Sequence, residues 1–224
     1  MKRTQLADRV LPTYSKGEDI FNMVSHIVGG AVGIVGTILC IIMSILHQNV
    51  YGVVSSAIYG FTLILLYTMS SIYHGLRNQN TTKKVFQIID HCSIFFLIAG
   101  SYTPFALVTL REYDSATGWT IFGFVWFFAI LGTVLNSIDL KKYEKFSMIC
   151  YIAMGWCIMV KFSILPELLT NTGFILLLTG GIAYTIGAIL YGIGKKHKWM
   201  HSIFHVACVI GTVLQLLCIL FYVV

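Results

Sequence analysis

Charge is what this 224-residue chain has least of. Only 11% of its residues are Asp, Glu, Lys or Arg, where soluble globular chains carry about a quarter. With 57% hydrophobic residues, a soluble domain of this size would have to hide more apolar surface than its volume allows. That excludes an ordinary soluble enzyme and makes the bilayer the solvent. A leader pattern is missing too. The opening "MKRTQLADRVLPTYSKGED" is polar and mixed in charge, with no apolar h-region and no small-residue cleavage site, so no cleavable signal peptide is expected. The six cysteines all fall inside apolar runs and form no CxxC pair. They are expected to be small buried hydrophobes rather than a disulfide framework. No linker or low-complexity tract divides the chain, so one domain is expected.

What the sequence does have is long apolar runs. A spanning helix needs about 20 mostly apolar residues, and seven segments qualify: 22–46, 51–76, 85–110, 119–138, 146–165, 172–193 and 199–224. They do not alternate with period two, as strands of a membrane barrel would, and lipid then demands helices. The expected fold class is all-α, a polytopic membrane protein with seven transmembrane helices. Residues 1–21 form a short polar segment and residues 22–224 the membrane domain.

Basic residues orient it. With the N-terminus inside, the inner side receives Lys2, Arg3, Arg9, Lys16, Arg77, Lys83, Lys84, Lys141, Lys142, Lys145, Lys195, Lys196 and Lys198, 13 of the 15 Lys and Arg. That asymmetry predicts a cytoplasmic N-terminus and an outside C-terminus, opposite to a G-protein-coupled receptor. The net charge of +6 therefore belongs to membrane loops, and no nucleic-acid partner is expected. Membrane lipids are the expected partners; self-association into a homo-oligomer stays open. In the first run Gly29 and Gly33, with Gly36 one turn on, permit close helix approach.

Chemistry-bearing residues gather at one depth. His201 and His205 lie early in the last segment, four apart and so on one helix face. His205 is roughly 10 Å beyond Lys198 at helical rise. His74 ends the second segment, with Ser70 one turn earlier. Asp90, near the start of the third, is the only acidic residue well inside a span, where a carboxylate costs at least ~2.5 kcal/mol. Three neutral imidazoles with an open position form a catalytic zinc pattern. Zinc lowers the pKa of bound water towards about 7. Asp90 can hold that water and accept its proton, and Ser70 can orient Asp90, the water or a substrate carbonyl. His91 is about 100° around the helix from Asp90 and reads as packing or as support behind the site. His47 and His197 read as solvated loop residues. His26, after Glu18, Asp19 and Asn22, is placed to support the cluster or to face the bundle lumen.

At these residues the sequence resembles the hemolysin III family, the bacterial branch of the adiponectin and progestin receptor superfamily. The carrying motifs are Ser70-x3-His74, "DHCSIFFLIAGSYTPF" and "HSIFH", with "EDIFNMVSHIVGG" as a first-helix opening, and the likeness runs from Glu18 to Val224. It implies zinc held by His74, His201 and His205, Asp90 linked through water, and Ser70 close by. It also implies kinship with alkaline ceramidases, hence hydrolysis of a lipid amide or ester. The family name implies haemolysis. With only residues 1–21 before the first segment, hormone-receptor function is not expected. Three functions remain: an intramembrane zinc hydrolase near the cytoplasmic face, a pore-like haemolysin braced by zinc, and a sensor or regulator of membrane state.

Overall fold

The structure, a computed structural model, describes residues 3–76, 80–194 and 197–224. Lys2, Arg77, Lys195 and Lys196, invoked for orientation, lie outside the described residues. Secondary structure among the described residues is entirely helical.

The first helix, α1 (Lys16–Leu46), begins six residues before the hydropathy signal does. A reciprocal cap explains the early start. Ser15 Oγ accepts from the Glu18 N–H, and Glu18 Oε2 accepts from the Ser15 N–H at 2.9 Å, satisfying two otherwise orphaned donors. Hydropathy cannot register a helix start made of polar residues. The buried stripe of α1 runs Glu18, Asn22, His26, Gly29, Gly33, Gly36, Cys40, Ser44, a three-to-four spacing that puts one polar-to-small face against the bundle.

Helix α2 (Val50–Gly75) returns antiparallel, capped by Asn49. The two helices approach closely because glycines face side chains. A Cβ on Gly60 would sit 2.1 Å from Thr37 Cγ2, and one on Gly33 would sit 2.6 Å from Leu63 Cδ2. Helix α3 (Thr81–Tyr113) is the centre of the bundle; 78% of its apolar window is buried. It loosens into a π-helical stretch at Phe105–Leu110, directly after Pro104, where the missing N–H breaks the regular ladder. Helix α4 (Ser115–Asp139) starts on an Asp114 cap.

The fifth segment departs most from expectation. Helix α5 is only Glu144–Trp156, continued by a tighter 3-10 stretch at Cys157–Lys161. Tyr102 Oη donates to the Gly155 carbonyl at 2.5 Å, occupying the acceptor that an α-helix would offer to residue 159. Helix α6 (Leu165–Gly194) contains a break at Thr170, with φ 60° and ψ 165°. The continuous part therefore begins close to the predicted 172. Helix α7 (Met200–Tyr222) closes the chain.

Six helices among the described residues (α1 to α4, α6 and α7) are long and apolar enough to cross a membrane. Helix α1 packs on α2 and α7, α2 on α3, α3 on α4, and α6 on α7, while α5 makes sparser contacts. Large apolar side chains such as Val35, Phe127, Ile130 and Ile189 are exposed on the outside, as a lipid-facing surface requires. All six cysteines are free.

The N-terminal residues form a strap across one end of the bundle. The Thr4 N–H donates to Asp139 Oδ2 at 2.8 Å, Lys84 Nζ donates to the Ala7 carbonyl at 2.6 Å, and Arg9 Nη2 donates to Gln87 Oε1 at 2.7 Å. Leu11 is buried beneath it. The strap thus spans from α4 across α3 to the start of α1.

Candidate metal centre

Two helix ends place the three histidines. His74 sits in the last turn of α2, which stops at an extended Leu76. Helix α7 starts where Trp199 takes a left-handed conformation, φ 65°, costly for a bulky residue. Glu18 Oε1 holds that corner by accepting from the Trp199 N–H at 2.7 Å. Glu18 therefore caps α1 and anchors the entrance of α7, and that places His201 in the first turn of α7 beside His74.

One ring nitrogen from each of His74, His201 and His205 lies within 4.8 Å of the others. His201 Nε2 and His205 Nε2 are 3.1 Å apart. Two nitrogens bound at 2.0–2.1 Å to a tetrahedral cation lie about 3.3 Å apart, so the spacing fits a shared cation. All three rings are buried. His74 Nε2 has no hydrogen-bond partner among the described residues. An orphaned buried acceptor is unfavourable by about 1–3 kcal/mol, and a cation would satisfy it. The donor set and the orphan atom both fit a metal ion.

Asp90 and Ser70 line a cavity of about 150 Å³ together with His201 and His205. The Ser70 hydroxyl faces the Asp90 carboxylate. Asp90 is not among the residues whose ligand atoms cluster within 4.8 Å; it stands in the cavity wall beside them. Most of that wall is apolar, including Ile94 and Ile98 of α3, Tyr151 of α5 and Phe204 of α7.

The remaining histidines divide by their surroundings. His26 stacks on His205, ring centroids 3.8 Å apart, and reaches the same cavity. His91 is tied to the Gln87 carbonyl at 2.9 Å and to Tyr191 Oη at 3.2 Å, and it lines the cavity with its Nδ1 3.7 Å from Asp90 Oδ2. His47 and His197 are exposed.

Three neighbours were not singled out by sequence reasoning. Asp19 Oδ1 lies 3.0 Å from His74 Nδ1, and the buried Lys83 places Nζ 3.4 Å from Asp19 Oδ2. Tyr14, from the strap, stacks on His201 at 4.9 Å between ring centroids and lies 5.4 Å from His74. The signal for Asp19 was present: it precedes Asn22 by three and His26 by seven, the same helical face.

Comparison with known proteins matches the sequence to one family. The family described as Haemolysin-III related matches residues 14–216. The chain is 39% identical over 206 residues to "Hemolysin-3" of Bacillus cereus, covering 92% of each protein. It is 35% identical over 205 residues to "Hemolysin-3 homolog" of Bacillus subtilis (strain 168), covering 92% of this chain and 94% of that one. Human "Monocyte to macrophage differentiation factor" is 25% identical over 167 residues, which is 71% of this chain and 66% of that protein.

Proposed function

The chain belongs to the Haemolysin-III related family, and from that premise we propose that this multi-pass plasma-membrane protein is a zinc-dependent hydrolase of lipid amides or esters. The single observation that carries the proposal is the convergence of His74, His201 and His205 beside an apolar cavity that also holds Asp90.

His74, His201 and His205 would hold the ion. Three imidazoles with no thiolate favour zinc among metals of moderate softness. When bound, zinc supplies Lewis acidity and makes water a nucleophile near neutral pH. The chain's own residues do the rest. The apolar wall takes the lipid chains and excludes bulk water, so the scissile carbonyl arrives at the polar end where Ser70 and Asp90 stand. Asp90 Oδ accepts the proton of the attacking water. It returns that proton to the leaving nitrogen or oxygen, so fatty acid and amine or alcohol leave with atoms and charge balanced. The Ser70 hydroxyl orients the carboxylate.

Seven spans with a cytoplasmic N-terminus complete the proposal. The α-helical and 3-10 parts of the fifth segment together rise about 30 Å, at 1.5 and 2.0 Å per residue, enough to cross hydrocarbon. The site then lies at the cytoplasmic face, within reach of inner-leaflet lipids.

Purified protein should contain about one zinc per chain and release fatty acid from a panel of lipid amides and esters, with activity lost on chelation. Zinc-loaded protein that cleaves nothing across the panel would refute the hydrolase. The name "Hemolysin-3" of the Bacillus cereus relative favours a second reading, a haemolysin of pore-like kind in which zinc only braces α2, α3 and α7. His205→Ala separates the two: a folded but inactive variant favours catalysis, and collapse of the fold favours bracing.

A further inference from the structure

Resting on the reading that the three imidazoles hold a metal ion, we propose that Asp19 is the positioning residue of the site. Its carboxylate accepts a hydrogen bond from the Nδ1–H of His74 and holds the ring in the one tautomer whose Nε2 lone pair faces His201 and His205. Lys83 anchors that carboxylate from the far side.

The argument starts at Nδ1. A neutral imidazole has one N–H and one lone pair, and the partner of one nitrogen decides the state of the other. Asp19 Oδ1 lies 3.0 Å from His74 Nδ1. An ionised carboxylate only accepts, so Nδ1 carries the hydrogen and Nε2 is bare. Asn22 Nδ2 lies 3.4 Å from the same nitrogen, and Asn22 Oδ1 has no partner among the described residues. Exchanging the amide O and N turns Oδ1 to the Nδ1–H, gives that oxygen its partner and agrees with the same tautomer. At the opposite side of the ring, Nε2 is buried and unpartnered, the condition of a ligand atom waiting for a cation.

The second oxygen of Asp19 is also committed. Lys83 is 2% exposed, and its Nζ donates to the Leu76 carbonyl at 2.7 Å as well as to Asp19 Oδ2 at 3.4 Å. One carboxylate thus ties the start of α1, the end of α2 and the start of α3 together, with the His74 ring as its product. A carboxylate behind a ligating imidazole raises the basicity of the ring and fixes its orientation. Asp19 touches neither the open side of the cluster nor the cavity wall, so it acts through His74 alone.

Nitrogen-15 NMR of histidine-labelled, metal-free wild-type protein reads the tautomer directly. His74 should carry its hydrogen on Nδ1; a hydrogen on Nε2 overturns the proposal whatever the metal does. Competition with a zinc chelator then reads affinity. Asp19→Ala should weaken zinc binding roughly 10- to 100-fold, Asp19→Asn by less, and Asp19→Glu should recover most of the loss. Cobalt(II) absorption should shift in Asp19→Ala and return in Asp19→Glu. Equal zinc affinity in wild type and Asp19→Ala overturns the proposal. Should Asp19→Ala fail to fold, the isosteric Asp19→Asn and the wild-type tautomer decide. Wild-type protein that binds no zinc refutes the metal reading, while the tautomer still judges Asp19.

Discussion

Side chains that look alike in the sequence do different work, and neighbours decide which. His91 follows Asp90 directly, yet its ring is spent on Gln87 and Tyr191. His26, in another helix, lies flat against His205. Carboxylates divide the same way. Asp114, outside the membrane-crossing helices, is held below the usual carboxylate range by the Thr117 hydroxyl and main-chain N–H, with the Ala116 N–H adding to them. These are the bonds of a helix N-cap. A depressed carboxyl contributes stability that is present above its unfolded value, about 3.9, and is lost as pH falls through the lower folded value. Asp114→Ala should therefore lower the thermal midpoint at pH 7. The gap between variant and wild type should close as the pH is taken below about 3.9, and a gap that widens on acidification would contradict this.

Elements meet where the smallest residues permit. Thr37, opposite Gly60, cannot swing aside, because its hydroxyl donates to the Gly33 carbonyl at 2.6 Å and a β-branched side chain is stiff in a helix. Gly60→Ala should destabilise the α1–α2 pair by about 1–3 kcal/mol through overpacking. Gly123 in α4 has nothing within 4 Å of its Cβ position. There Gly→Ala should be neutral or stabilising by up to about 1 kcal/mol, because the helix gains propensity. Unfolding of both variants in the same detergent gives the comparison, and equal effects at the two positions would remove the close-approach argument.

The whole molecule closes one end over its polar cluster. The strap runs from α4 to α1 and lays Tyr14 over His201 and His74. Tyr14→Ala should speed chelator removal of bound zinc several-fold with little change in equilibrium affinity; stopped-flow chelation reads both. If the rates match wild type, the strap does not cover the site. The proposed seven-span arrangement places the exposed His47 and His197 on opposite membrane faces. With cysteine at each position in turn, an impermeant maleimide applied to intact cells should label the first and spare the second. Labelling of both from outside would rule out the arrangement.

The sequence by itself determined the class of molecule, six of its spans and the three histidines, because each is a local property. Hydropathy needs no neighbours, and an i, i+4 pair shares a face on any helix. The polar cap that starts α1 early and the 3-10 end of α5 escaped it, since one is invisible to hydropathy and the other is imposed by Tyr102 from another helix. Only the tertiary structure decided how the rings meet and what stands behind them. Asp19 reaches His74 across 55 positions, Lys83 reaches Asp19 across 64, and Glu18 holds Trp199 across 181. Contacts over such separations depend on helix packing, which no local pattern of residues encodes.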